Sequence, residues 1–267
     1  MDLGFKDVHV LITGASGGIG LATCKLFLDL GAQVTGHYNT TRAPLDSTFS
    51  ETVHAVQADL KSEGDVTRMF DDLKSPVSVL VVNHGIWETR DAPLVDMDLS
   101  QWEHTLDTNL TSSFLIVRAF LRQLRDAPEE VKTSANIVFI GSTAGRFGEA
   151  GHADYAASKS ALMYGLTLSL KNEIVRIAPR GRVNTIAPGW VRTPMAEEAL
   201  KDAAVVYRSL ATTPLKRFAT AGQVATQIAL IASNNVSGHV TGEVITVAGG
   251  MEGRLLNQPT DVDVNAV

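Results

Sequence analysis

The chain has 267 residues, 45% hydrophobic and 19% charged, with 22 glycines, 9 prolines and one cysteine, Cys24. This composition excludes a disordered chain, a collagen-like or low-complexity fibre and a disulfide framework, and the length suffices to bury a core without staples. The net charge is −6 with lysines and arginines scattered along the chain, which excludes a nucleic-acid surface, and no apolar run approaches the roughly 20 residues of a membrane helix. The acidic opening Met1-Asp2-Leu3-Gly4-Phe5-Lys6-Asp7 lacks the apolar stretch of a secretory leader, so a reducing, cytoplasmic location is expected.

Short β-rich runs alternate with segments of helical spacing. In chain order they read as strand 8–13, helix 18–30, strand 33–38, strand 53–57, helix 63–73, strand 77–82, helix 101–125, strand 136–141, helix 155–177, strand 182–187, helix 221–231 and strand 243–247. The alternation predicts an α/β fold: a doubly wound, seven-stranded parallel sheet with helices on both faces. Stretches 40–50, 87–98 and 190–213 read as irregular and therefore functional loops. One domain, residues 1–253, is expected to hold every site, with the 254–267 tail either unstructured or docked on a neighbouring subunit.

The first strand runs directly into Thr13-Gly14-Ala15-Ser16-Gly17-Gly18-Ile19-Gly20 and then a helix. That is the context of a dinucleotide cradle. Gly14 permits the tight turn, Gly18 lets a pyrophosphate approach the backbone, Gly20 lets helix and sheet pack closely, and the helix N-terminus supplies N–H groups and positive dipole. Ser16, Gly17 and Ile19 belong to the same turn. The second strand ends at Tyr38 and Asn39 with no carboxylate, and Arg42 is the next charge. A carboxylate there binds a ribose 2′-hydroxyl and repels a 2′-phosphate, so NADP(H) is predicted over NAD(H).

After the strand at 136–141 comes Ser142, and thirteen residues later Tyr155-Ala156-Ala157-Ser158-Lys159. The four-residue spacing puts Tyr155 and Lys159 on one helix face, where an ammonium favours the phenolate and brings the phenol into use as an acid or base. Ser142, at a strand's carboxyl end, is placed to donate to a substrate oxygen. The histidines lack metal-ligand spacing, so no metal is predicted. His84 reads as a packed histidine with one backbone partner.

In this set of motifs, together with Asp59-Leu60, Asn83-His84-Gly85, Asn109 and Pro188-Gly189-Trp190-Val191-Arg192-Thr193, the chain resembles the short-chain dehydrogenase/reductase family over about residues 5–250. The resemblance implies a Rossmann fold and a role for each residue. Tyr155 is the acid or base, Lys159 holds the nicotinamide ribose and lowers the Tyr155 pKa, Ser142 orients the substrate oxygen, and Asn109 anchors a relay water. Asp59 accepts from the adenine amino group, Asn83 lines the adenosine ribose, Val191 with Thr193 holds the carboxamide, and Leu60, Gly85, Pro188 and Gly189 are further cofactor contacts. His84 departs from the family's usual alanine.

The implied reaction is hydride transfer between nicotinamide and a ketone or secondary alcohol. Ala144, Phe147, His152, Trp190 and Met195, with Ser142 and Tyr155, are the candidate substrate contacts, and their apolar content points to a moderately apolar carbonyl compound. A 3-oxoacyl-thioester reductase is the alternative. A non-catalytic nucleotide sensor or a methyltransferase of related fold leaves Tyr155 and Lys159 without a purpose. The family also implies a homotetramer or dimer pairing the helices at 101–125 and 155–177.

Overall fold

Seven strands pair side by side, all parallel: β1 (His9–Ile12), β2 (Gln33–Tyr38), β3 (His54–Gln57), β4 (Val79–Val82), β5 (Asn136–Ile140), β6 (Arg182–Pro188) and, last in the chain, β9 (Val244–Val247). A computed structural model describes residues 2–50, 52–253 and 257–263. The spatial order is β3-β2-β1-β4-β5-β6-β9, and a separate small ladder joins β7 (Val191–Arg192) to β8 (Ala219–Thr220). The seven predicted strands are these seven, shifted by two residues at most.

Strand side chains alternate between two cores, as a sheet covered on both faces requires. Val10, Ile12, Val79, Val81, Val138 and Ile140 join one apolar cluster with Cys24 and Phe27 of α1 (Gly18–Asp29) and Val224 and Ile228 of α12 (Ala221–Ala232). Leu11, Leu80, Val82, Ile137 and Phe139 join the other, with Val66 of α3 (Glu63–Asp71), Ile116 and Phe120 of α5 (Ser112–Asp126), and Leu170 of α9 (Thr167–Glu173). The remaining helices are α2 (Ala43–Phe49), α4 (Leu99–Leu106), α6 (Glu129–Thr133), α7 (Ala144–Phe147), α8 (Ala153–Ser160), α10 (Pro194–Glu197), α11 (Ala203–Ala211) and α13 (Asn234–Ser237). A π-turn, Asp107–Thr111, joins α4 to α5, and a second, Ala161–Leu166, joins α8 to α9. Each predicted long helix is thus one continuous rod with a wide turn inside it.

Two predicted loops contain helices. In residues 40–50, Pro44 starts α2 and Leu45 and Phe49 bury one apolar face four residues apart. In residues 190–213, Asp202 caps α11 by accepting from the Ala204 N–H, and Val206 and Leu210 are its buried face. Both helices are too short to display a period of their own. The described part of the tail packs on its own chain: Asn257 donates from its amide to the Leu210 and Thr213 carbonyls at 2.6 and 3.0 Å, and Val262 buries against Val206 and Leu210. Residues 254–256 and 264–267 lie outside the described residues. Among the described residues no helix is long and apolar enough to cross a membrane.

The chain runs from β1 to β2 and β3 on one side, then crosses to β4 on the other. This switch point opens a crevice at the carboxyl ends of β1 and β4, the place where ligands enter open α/β sheets.

Candidate active site

Thr13 to Gly20 fill that crevice. Gly14 has φ +61°, and a Cβ there would stand 2.9 Å from the His84 Cα. Only glycine lets the turn fold against the end of β4. A Cβ at Gly20 would collide with the Gly14 carbonyl, and one at Gly18 would come within 2.9 Å of Thr193 Cγ2. Gly17 caps α1 and has no side chain to bond its first N–H groups, which leaves a positive helix end facing the crevice.

Two neutral histidines support the turn from below. The Gly14 N–H donates to His37 Nδ1 at 3.2 Å, so the His37 Nε2–H donates to the Ala58 carbonyl at 3.0 Å. His84 bridges Thr13 Oγ1 and Ser112 Oγ, both at 2.7 Å. Ser112 itself donates to the Thr108 carbonyl at 2.6 Å, so it accepts from His84 Nε2–H and the Thr13 hydroxyl donates to Nδ1. Burial holds both imidazoles below their usual range, and for His84 the proximity of His37 and Lys159 adds to it. His84 is packed as expected, but its partners are two hydroxyls and not a backbone group. Through it the glycine turn is tied to the start of α5.

Asn83 donates from its amide to the Thr13 and Gly14 carbonyls, each at 3.0 Å, and from its N–H to Thr13 Oγ1 at 2.9 Å; it shapes the turn. At the end of β2, Arg42 pairs with Asp46 at 2.9 Å, hydrogen-bonds Tyr38 and stays exposed beside Asn39. Past β3, Asp59 accepts from the Lys61 N–H at 3.0 Å, and Leu60 is buried.

Ser142 leaves the end of β5 and Tyr155 and Lys159 project from α8. The Ser142 and Tyr155 hydroxyls hydrogen-bond to each other, and the Ala144 N–H donates to Ser142 Oγ at 3.1 Å. Burial pushes the Tyr155 phenol up to about 12, against the Ser142 bond and with the help of the Glu149 charge. The lowering expected from Lys159 is not among the effects that act on the phenol. Lys159 Nζ stands 5.7 Å from the Tyr155 ring centre and donates to the Ile140 carbonyl at 2.9 Å, and burial pushes it down to about 8. Among the described residues no carboxylate pairs with it. A Cβ on Gly85 would lie 3.0 Å from Asn109 Oδ1 and 3.3 Å from Lys159 Nζ, so glycine keeps this passage open.

Asn109, inside the first π-turn, accepts from the Ile86 N–H at 2.8 Å and donates to the Ile86 carbonyl and Ser158 Oγ at 3.0 and 3.1 Å. Its amide locks the loop after β4 to α8. The glycine turn, the uncapped start of α1 and the unpaired ammonium of Lys159 together fit the pyrophosphate and ribose hydroxyls of a dinucleotide.

The family profile of short chain dehydrogenases matches residues 8–204. The chain belongs to the short-chain dehydrogenase family. Among its curated relatives are the 3-oxoacyl-[acyl-carrier-protein] reductases of Vibrio cholerae, 34% identical over 90% of this chain and 96% of that one, and of Synechocystis, 32% identical over 90% and 95%. A solved structure from Brucella melitensis, described as a short-chain dehydrogenase/reductase of glucose/ribitol dehydrogenase type, superposes with a TM-score of 0.81 at 30% identity over 94% of this chain and 99% of that one. This short-chain dehydrogenase is an oxidoreductase with the Rossmann fold of its relatives.

In this dehydrogenase Trp190 packs against Trp87 at 5.9 Å between ring centres and Trp87 stacks on His152 at 4.7 Å. Ala144 is buried, whereas Phe147, under the Arg146 guanidinium, and Met195, on α10, stand 41% and 52% exposed at the rim. Pro188, Gly189, Val191 and Thr193 run from β6 through β7, with Val191 buried and Thr193 against Gly18. Sequence reasoning missed three residues. Asp154 is fully buried, accepts from Thr105 Oγ1 at 2.7 Å and from the Tyr155 N–H at 2.8 Å, and so fixes the helix that carries Tyr155. His37 is the second. Glu149 is the third; its place six residues before Tyr155, between two glycines, was the only available signal.

Proposed function

We propose that this dehydrogenase is an NADP(H)-preferring reductase of ketones, acting on a moderately apolar substrate. The observation that carries the reading is the half-buried Ser142–Tyr155 hydroxyl pair beside Lys159. A phenol held near 12 remains protonated at neutral pH, which is the form that donates to an oxygen becoming an alkoxide. Gly14, Ser16, Gly17, Gly18, Ile19 and Gly20 would hold the pyrophosphate, Asp59 the adenine, and Lys159 the ribose nearest the substrate. The nicotinamide, when bound, supplies the hydride. Ser142 orients the carbonyl oxygen, Tyr155 gives it a proton, Lys159 sustains the charge left on the phenol, and Asn109 holds the frame through which that proton is replaced. The side chains at the end of β2 support NADP(H): Tyr38 and Asn39 present no carboxylate, and Arg42 releases an exposed partner readily.

The relatives named 3-oxoacyl-[acyl-carrier-protein] reductases favour a 3-oxoacyl thioester as the second reading. The lone, buried Cys24 thiol, pushed up to about 12 by burial, suits a reducing cytoplasm, and the exposed apolar residues of the two long helices support a homotetramer or dimer. The test is a panel of ketones, 3-oxoacyl thioesters and secondary alcohols followed by cofactor absorbance, with native protein and Tyr155→Phe, in NADPH and NADH. NADPH is expected to give the higher kcat/KM; a tenfold preference for NADH overturns the cofactor assignment.

A further inference from the structure

Beside Tyr155 stands a carboxyl group that hydride and proton transfer do not require. Glu149 sits in the loop between α7 and α8, half-buried, close enough to Tyr155 for its charge to bear on the phenol, and its carboxylate accepts from the Trp87 indole N–H. The same indole stacks on His152 and packs edge-on to Trp190. His152 is 2% exposed; its Nε2 meets Asp91 Oδ1 at 3.1 Å, and its Nδ1 is buried with no hydrogen-bond partner among the described residues. Partial burial pushes the Glu149 carboxyl up, opposed in part by His152 and by the Trp87 bond, and Trp87 supplies one donor to an oxygen pair that takes about four. Aromatic walls with a few convergent polar groups are the usual make-up of a small-molecule pocket, the polar groups fixing orientation.

Resting on the ketone-reductase reading, we propose that Glu149 is a specificity-determining residue that accepts a hydrogen bond from a hydroxyl group of the substrate close to the reacting carbonyl, so the substrate class is hydroxyketones and the corresponding diols. Trp87 and Trp190 take the carbon frame and Glu149 the hydroxyl. A neutral hydroxyl suits the position better than an ammonium, because a second buried charge beside Tyr155 adds its own desolvation cost. A carboxylate or phosphate at the same place on a substrate meets repulsion. Binding in this form deepens the apolar-substrate reading: the walls are apolar and one acceptor among them reads one donor.

The experiment compares kcat/KM for 2-hydroxycyclohexanone and cyclohexanone, with the N-acetylcysteamine thioester of acetoacetate as an amide-bearing arm, in the native protein, Glu149→Gln and Glu149→Leu. A site built to bond a hydroxyl discriminates strongly against the analogue lacking it. The native protein is expected to favour the hydroxyketone by at least about tenfold; Glu149→Leu brings that ratio close to one whatever its absolute rates, and Glu149→Gln, which keeps an acceptor oxygen, retains most of it. A native ratio near one, a ratio unchanged by Glu149→Leu, or a thioester preferred to both ketones overturns the proposal while leaving the reductase reading in place. Absence of turnover with every compound, despite NADPH binding, overturns that reading itself.

Discussion

Lys159 keeps an ammonium in the interior with one carbonyl for company, and that arrangement has a measurable cost. Unfolded, the lysine holds its proton up to about 10.5; folded, it releases it above about 8. The folded state therefore binds fewer protons between those values, and stability rises as pH climbs from 8 to 10.5. Below pH 8 the buried charge costs on the order of 3 kcal/mol. Lys159→Met is expected to be inactive yet to melt above the native protein at pH 7, with the advantage shrinking toward pH 10.5, as functional sites often trade stability for chemistry. Thermal melts of both proteins at pH 7 and 10 check this; a variant that melts lower at pH 7 contradicts it. Residues such as Tyr155, Lys159, Ser142 and the glycines were legible in the sequence because their chemistry fixes a local spacing. His37, Asp154 and Glu149 were not, because each acquires its meaning from partners supplied by other elements: Ala58 for His37, Thr105 for Asp154, Trp87 for Glu149.

The strands and long helices were legible because burial on both faces of a sheet writes continuous apolar runs, and amphipathic rods write a 3.6-residue period. Helices α2 and α11 were not, since seven or nine residues carry barely two turns. The π-turns were hidden for another reason: Asp107–Thr111 and Ala161–Leu166 keep the rod's apolar spacing while widening it, and the Thr167 hydroxyl, donating to the Leu162 carbonyl at 2.8 Å, fills one such widening. Arg182 shows how elements are joined at a distance. From the start of β6 its guanidinium donates to the Ile231, Ala232 and Val240 carbonyls and to Asn234 Oδ1, at 2.7 to 3.2 Å, with 3% exposure. It closes the carboxyl end of α12. Arg182→Met leaves these buried acceptors unmet and is expected to cost about 3 kcal/mol or more, a fall of roughly 6 to 12 °C in Tm. A scanning-calorimetry shift under 2 °C contradicts that account.

For the molecule as a whole, the doubly wound sheet places the glycine turn, the Tyr155 helix and the aromatic cluster at one end, and the tail packs on its own chain by anchoring Asn257 and Val262 to α11. The place of the tail is not legible in the sequence, because Asn257 finds its partners some 45 residues away. The outer faces of the long helices expose Phe114, Tyr164, Leu168 and Val175 at 38 to 46%, more apolar surface than two solvated helices ordinarily leave bare. Sedimentation is expected to give a dimer or tetramer at micromolar concentration; a 28.5 kDa species contradicts that assembly. In the proposed mechanism Tyr155 moves the proton while the glycine turn and Lys159 hold the dinucleotide. NADPH binding by titration and ketone-dependent NADPH oxidation, measured side by side for the native protein and Tyr155→Phe, separate these two roles. Similar binding and a loss of turnover of about 10² to 10⁴ are expected; turnover within tenfold of native, with binding intact, contradicts the role of Tyr155.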